Sequence, residues 1–187
     1  MTAFWRSGDT VCAVLDESEA QLVRRLVTDV RAMLTPDGSS HGVPGDGAFD
    51  GVPDWSQAPA AVSAPEDPAM ARLLPDGYRD DPAAAAELRR LTEWSLREAK
   101  SQTAQRLLDS LPDRGGSLTL DLPTAEAWLG ALNDVRLVLG TRLEVTEDTV
   151  RNEAGGLREG DGPVAVAYQV YCWLGVVQDE LLSAVWD

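Results

Sequence analysis

The chain has 187 residues, enough for one domain with a sizeable core. It carries 31 Asp and Glu against 16 Lys and Arg, a formal charge of −15, and every base except Lys100 is an arginine. That balance argues against a large nucleic-acid footprint and against an anionic membrane surface, since both need a basic face.

The first 15 residues read as a β-hairpin. Ala3-Phe4-Trp5-Arg6 is a short apolar run, Ser7-Gly8-Asp9 is turn chemistry, and Thr10 to Leu15 is β-branched and alternating. Val11, Ala13 and Leu15 share one face; Thr10, Cys12 and Val14 share the other. A helix follows, with Asp16 as cap and Glu19 at the capping-box position. Leu22, Val23, Leu26, Val27, Val30, Met33 and Leu34 recur at helical spacing, which puts Arg24, Arg25 and Arg31 on the solvated side. Thr35-Pro36 ends the helix.

Residues 35–66 change character. Fourteen of these 32 positions are Pro, Gly or Ser, no Lys or Arg occurs, and five are acidic. The stretch reads as a flexible acidic insertion that buries too little to offset its ordering entropy. Asp67-Pro68 is a cap with proline at the first helical position and opens a short helix to Leu74. Asp81-Pro82 repeats the device and opens a long helix to about Ser110. Its first half is expected to place Leu88, Leu91 and Trp94 inward, with Arg89, Glu93 and Arg97 as an outward i,i+4 charge ladder and a solvent-facing polar middle. Ser117 to Leu122 alternates and is expected to pair with the hairpin. A helix from Pro123 to about Leu143 carries a core stripe that includes Trp128, Leu132 and Val135. Thr146 is expected to cap a short helix to about Glu153, and 155–162 is a glycine-rich loop. The last helix, Val164 to Val185, is apolar nearly all round, so it is central or shared with a second subunit.

The fold class expected is α+β: mainly helical, four main helices and two short ones, with a small three-stranded antiparallel sheet formed by the N-terminal hairpin and the strand near 117–122. One domain is expected to span 1–187. The most apolar stretch, Val164 to Val177, is shorter than the roughly 20 residues of a membrane span. The N-terminus lacks the charged region and long apolar run of an export signal. A cytoplasmic protein with no membrane partner is expected.

Chemistry-bearing residues are few. The lone histidine, His41, lies in the insertion, so neither a triad nor a zinc site is expected. Asp80-Asp81 is explained by helix capping. The loop 155–162 has neither the Gly-Lys-Ser/Thr of a phosphate loop nor the alternating carboxylates of a calcium loop. No cofactor, metal or catalytic residue is expected. Arg136 lies at the edge of a core stripe and needs a carboxylate or carbonyl partner; it reads either as a structural pair or as an anion or partner contact, with Asn133 and Arg142 on the same helix able to contribute. Cys12 and Cys172 are the redox candidates, either as small buried hydrophobes, as a pair meeting in space, or as single oxidisable thiols.

Several stretches form a recognisable pattern: Trp5-Arg6-Ser7-Gly8-Asp9; Leu73-Leu74-Pro75-Asp76-Gly77-Tyr78-Arg79-Asp80-Asp81; Glu87-Leu88-Arg89-Arg90-Leu91-Thr92; Ala131-Leu132-Asn133-Asp134-Val135-Arg136-Leu137-Val138-Leu139-Gly140-Thr141-Arg142-Leu143; and Tyr171-Cys172-Trp173-Leu174-Gly175-Val176-Val177-Gln178. Over nearly the whole chain this resembles an actinobacterial family of unknown-function domains, also known as AosR-like oxidative transcriptional regulators. The resemblance implies a cytoplasmic, redox-responsive regulator that acts at least partly through a sigma factor. It also implies a cysteine pair four residues apart. This sequence departs from that pattern, with Tyr168 and Val176 flanking Cys172 at that spacing. Cys172 is then the residue to which a redox role carries over. No helix-turn-helix with a basic recognition helix is present, so direct DNA binding is not expected. The second reading is an adaptor module without redox sensing, homodimeric through the last helix.

Overall fold

The computed structural model describes residues 3–35, 64–146 and 162–186. His41, the short helix expected after Thr146 and most of the insertion and of the glycine-rich loop lie outside the described residues.

The sheet is built as the alternation dictates. β1 (Phe4–Ser7) and β2 (Thr10–Leu15) form an antiparallel hairpin, with Gly8 at φ +61° in the two-residue turn. β3 (Gly116–Asp121) pairs antiparallel with the other edge of β2, giving the order β1-β2-β3. Val11 faces Leu120 and Ala13 faces Leu118, all four buried. The opposite sheet face carries Trp5, Cys12 and Thr119 in one cross-strand row. Gly115, at φ +76°, brings the chain against the start of the first helix: a Cβ there would stand 2.6 Å from the Asp16 carbonyl carbon.

Four of the helices start on aspartates. Asp16 opens α1 (Glu17–Leu34) through a complete capping box with Glu19. The Ser18 hydroxyl, and next the Glu19 amide, hold the Asp16 carboxyl below its ordinary value. Asp67 caps α2 (Pro68–Leu73), Asp81 caps α3 (Pro82–Ser110), and Asp121 caps α4 (Leu122–Arg142). α5 spans Pro163–Trp186. α4 lies at the centre, packed against α1, α2, α3 and α5. Its Trp128 is fully buried, meets Phe4 edge-to-face at 6.2 Å, and donates its indole N–H to Ser110 Oγ at 2.8 Å. The Arg6 guanidinium ties the sheet to the far end of α5 by a 3.1 Å bond to the Val185 carbonyl.

The α+β class and the antiparallel three-stranded sheet are as expected. Two expectations fail. On α3, Trp94 is 60% exposed and Leu91 also faces solvent, whereas Arg89 is buried and Glu93 and Arg97 are largely so. The charge ladder points inward because a helix 29 residues long keeps one phase: Ala104, Leu107 and Leu111 fix its buried stripe, and that stripe runs back through Arg97, Glu93, Arg89 and Ala85. The polar middle follows the same rule, with Lys100 half-buried against Asp134. On α1, only Arg25 is fully solvated. Arg24 donates to the Leu111 carbonyl at 2.8 Å and to Asp113 at 3.1 Å, and Arg31 donates to Ser101 Oγ at 3.3 Å. Their heads thus find acceptors on α3 and just beyond its end.

Candidate functional site

The α4–α5 seam sets Arg136 of α4 against Tyr171 and Gln178 of α5. α4 starts on Asp121, turns its buried stripe of Trp128, Leu132 and Val135 inward, and leaves Arg136 at the margin facing α5. The guanidinium carbon lies 5.0 Å from the Tyr171 ring centroid, a cation–π distance. Nη1 donates to the Gln178 side-chain carbonyl at 2.7 Å, and the Gln178 amide in turn donates to the Leu129 carbonyl at 3.4 Å. Two glycines admit this arrangement. A Cβ on Gly140 would stand 3.3 Å from the Tyr171 ring, and one on Gly175 would stand 3.5 Å from the Arg136 guanidinium. Tyr168 stacks on Tyr171 at 6.1 Å. Among the described residues, Arg136 thus bonds an uncharged carbonyl beside a ring face, and its buried Nε makes no hydrogen bond.

The other named residues do not join this group. Asn133 is exposed, one turn before Arg136. Arg142 faces α2 and donates to Asp67 Oδ2 at 2.6 Å, while Asp67 Oδ1 caps α2. Cys172 is a free, half-buried thiol beside Tyr171 on the seam helix. Cys12 is also free and half-buried, on the sheet face turned away from the core, with its sulfur 3.9 Å from Thr119 Oγ1 and 4.0 Å from Thr10 Oγ1. The sheet meets α5 at Val185, thirteen residues beyond Cys172, a rise of about 20 Å along the helix.

Two further polar groups escaped sequence reasoning. Lys100 Nζ donates to Asp134 Oδ1 at 2.6 Å across the α3–α4 interface, and burial pushes the Asp134 carboxyl above its usual value against the opposing pull of Lys100. On α3, Arg89 pairs with Asp76 and lies 3.7 Å from Glu93 Oε2, while Glu93 Oε1 holds Arg97 at 2.7 Å. The signal for both was the phase of Ala104, Leu107 and Leu111, extended backward along α3.

Comparison with known proteins places the chain. The family described as Domain of unknown function (DUF2017) matches residues 1–185. The chain belongs to the DUF2017 family. A Mycobacterium leprae protein named putative oxidative stress regulator AosR is 33% identical over 192 residues, covering 96% of this chain and 84% of that protein. Proteins named oxidative stress regulator AosR from Mycobacterium tuberculosis and Mycobacterium bovis are 42% identical over 132 residues, 63% of this chain. The matched region spans 58% of the length of those two relatives. No solved structure matches this DUF2017 chain. Among its described residues, no helix is long and apolar enough to cross a membrane.

Proposed function

We propose that this DUF2017 protein is a non-enzymatic cytoplasmic regulator of the response to oxidative stress, and that it acts through a protein partner, a sigma factor, rather than by reading DNA. The observation that supports the regulatory part of this reading is its similarity across 96% of its length to a protein named putative oxidative stress regulator AosR. The charge of −15 supports contact with protein over contact with phosphate. Trp5, Trp94 and Trp186 are exposed, and tryptophan is enriched at the anchor points of protein interfaces. Cys172 is the thiol through which oxidation would reach the partner surface, because it shares α5 with the Arg136–Tyr171 seam.

The test is co-purification of the full chain with sigma factors of its host, under reducing conditions and after peroxide, for the wild type and for Cys172→Ser. A sigma factor retained by the wild type, in an amount that changes with peroxide and not in the variant, is the expected result. Equal retention in all four samples removes the redox role of Cys172. Retention of no sigma factor, together with sequence-specific DNA binding by the protein alone at physiological salt, overturns the partner-dependent reading.

A further inference from the structure

The sheet has two outer edges, and they differ. β1 packs against α5, and Arg6 ties it to the Val185 carbonyl. On β3, Ser117, Thr119 and Asp121 are exposed, and among the described residues the outward backbone groups of Ser117 and Thr119 make no hydrogen bond. The hairpin shows which groups point outward. Its two-residue turn has Gly8 at φ +61° in the first central position, so Ser7 and Thr10 form the closing hydrogen-bonded pair. Antiparallel pairs alternate along a ladder, so Thr10, Cys12 and Val14 turn their N–H and C=O groups to β1, and Val11, Ala13 and Leu15 turn theirs to β3. Their β3 partners are Leu120, Leu118 and Gly116. The N–H and C=O of Ser117 and Thr119 therefore point away from the sheet.

Edge strands that stay single are guarded by lysine, proline or a bulge. From Gly116 to Leu120, β3 has no charge and no proline, and it keeps register with β2 along its whole length without a bulge. The open edge is also complementary to itself. A two-fold axis through Leu118 sets Ser117 of each copy opposite Thr119 of the other. The Ser117 N–H then meets the Thr119 C=O, and the Thr119 N–H meets the Ser117 C=O, so each outward group of the pair has a partner. That even register keeps Leu118 on the buried face of both copies and puts the Ser117 and Thr119 hydroxyls side by side on the other face. At each end, Asp121 stands opposite Gly115 of the other copy, next to Arg114. Arg114 is exposed and makes no ion pair among the described residues. Opposite charges thus stand at both ends of an uncharged centre. An unrelated extended strand could use the same backbone groups, but only a second copy necessarily brings the cation to that position.

We propose that β3 is a self-association edge: two copies of this chain pair their β3 strands antiparallel about Leu118 and form one continuous sheet across a two-fold axis. The contact is separate from any dimer through α5, and it does not depend on the sigma-factor reading above.

The experiment is sedimentation velocity of the full chain over a wide concentration range, in about 0.3 M NaCl to screen the repulsion between two acidic chains. A reversible monomer–dimer equilibrium is expected, with a Kd on the order of tens of micromolar for a contact this small. Backbone amide exchange at Ser117 and Thr119 is expected to slow as the dimer fills. Thr119→Pro removes one outward N–H and spares the residues bonded to β2, so it is expected to be monomeric with unchanged circular dichroism. Ser117→Lys, at an exposed site, is expected to weaken the dimer at least about tenfold, and it decides the matter if Thr119→Pro does not fold. Arg114→Glu is expected to weaken it about fivefold, because two exposed ion pairs are reversed in sign. Trp186→Ala, on α5, is expected to leave the Kd unchanged. A chain that stays monomeric throughout, or Ser117 and Thr119 amides that exchange equally fast in monomer and dimer, overturns the proposal. So does a dimer that survives the β3 variants or is lost in Trp186→Ala. An unchanged Kd in Arg114→Glu overturns the register about Leu118.

Discussion

The two halves of α3 are buried by opposite means. From Lys100 onward the helix enters the core through Ala104 and Leu107, with one ion pair, Lys100–Asp134, at its margin. Before Lys100 the same stripe is filled by Arg97, Glu93 and Arg89, and the large apolar side chains Leu91 and Trp94 face solvent. One half is held by area removed from water, the other by charges that must satisfy one another. The difference teaches that a long helix does not choose its buried face residue by residue. Strong packing at one end sets the phase, and the other end must find partners for whatever the phase turns inward.

The largest test of this contrast is in the apolar half. Leu107 is fully buried, and Leu107→Ala should cost about 4 kcal/mol in urea unfolding, from the lost transfer energy plus the cavity. In the charged half, Glu93→Ala removes the carboxylate shared by Arg89 and Arg97 and should cost about 3 kcal/mol. The double change Arg89→Met with Glu93→Leu should recover part of that loss, because Arg89 then needs no partner, while Arg97 keeps only its bond to the Leu34 carbonyl. If the double variant is as unstable as the single one, the charged stripe is not replaceable and the contrast between the halves fails.

The pH dependence of Asp134 probes the boundary between them. Its carboxyl is raised by burial, so the native state holds the proton more tightly than the unfolded chain. The stability from this group is complete below the unfolded carboxylate value and declines as pH climbs through the raised one. Asp134→Asn removes that decline. The stability of the Asn variant relative to the wild type should therefore rise as pH climbs above the ordinary carboxylate range in paired urea titrations. A difference that stays flat there would show that Lys100 fully offsets the burial. The smallest effect is expected at Trp94. Despite its size, Trp94→Ala should change stability by no more than about 0.5 kcal/mol, since the ring is mostly in water. A larger loss would mean that the ring packs more than its exposure indicates.

Much of the fold was legible because its signals are local. The aspartate caps at 16, 67 and 81 act on amides two or three residues away, so sequence alone places the helix starts. The alternation of β2 and β3 fixes which side chains share a face, and the observed register sets Val11 against Leu120 on the buried one. The Arg136 position was legible as the edge of a stripe. Its partner Gln178, 42 residues away, was not, because only the packing of α4 on α5 brings the two together. Arg142 could not be separated from Arg136 by sequence, since its acceptor Asp67 arrives from α2.

The amino-acid sequence by itself determined the acidic charge, the α+β class, the helix starts and the two faces of the sheet, all of which depend on composition or on neighbours within a few residues. Tertiary structure decided which face of α3 turned inward, which arginines left solvent, and that Arg89, Glu93 and Arg97 fill one buried stripe. Those outcomes belong to the tertiary level because a charged side chain is buried only where another element supplies its partner, and the partner is chosen by packing rather than by spacing along the chain.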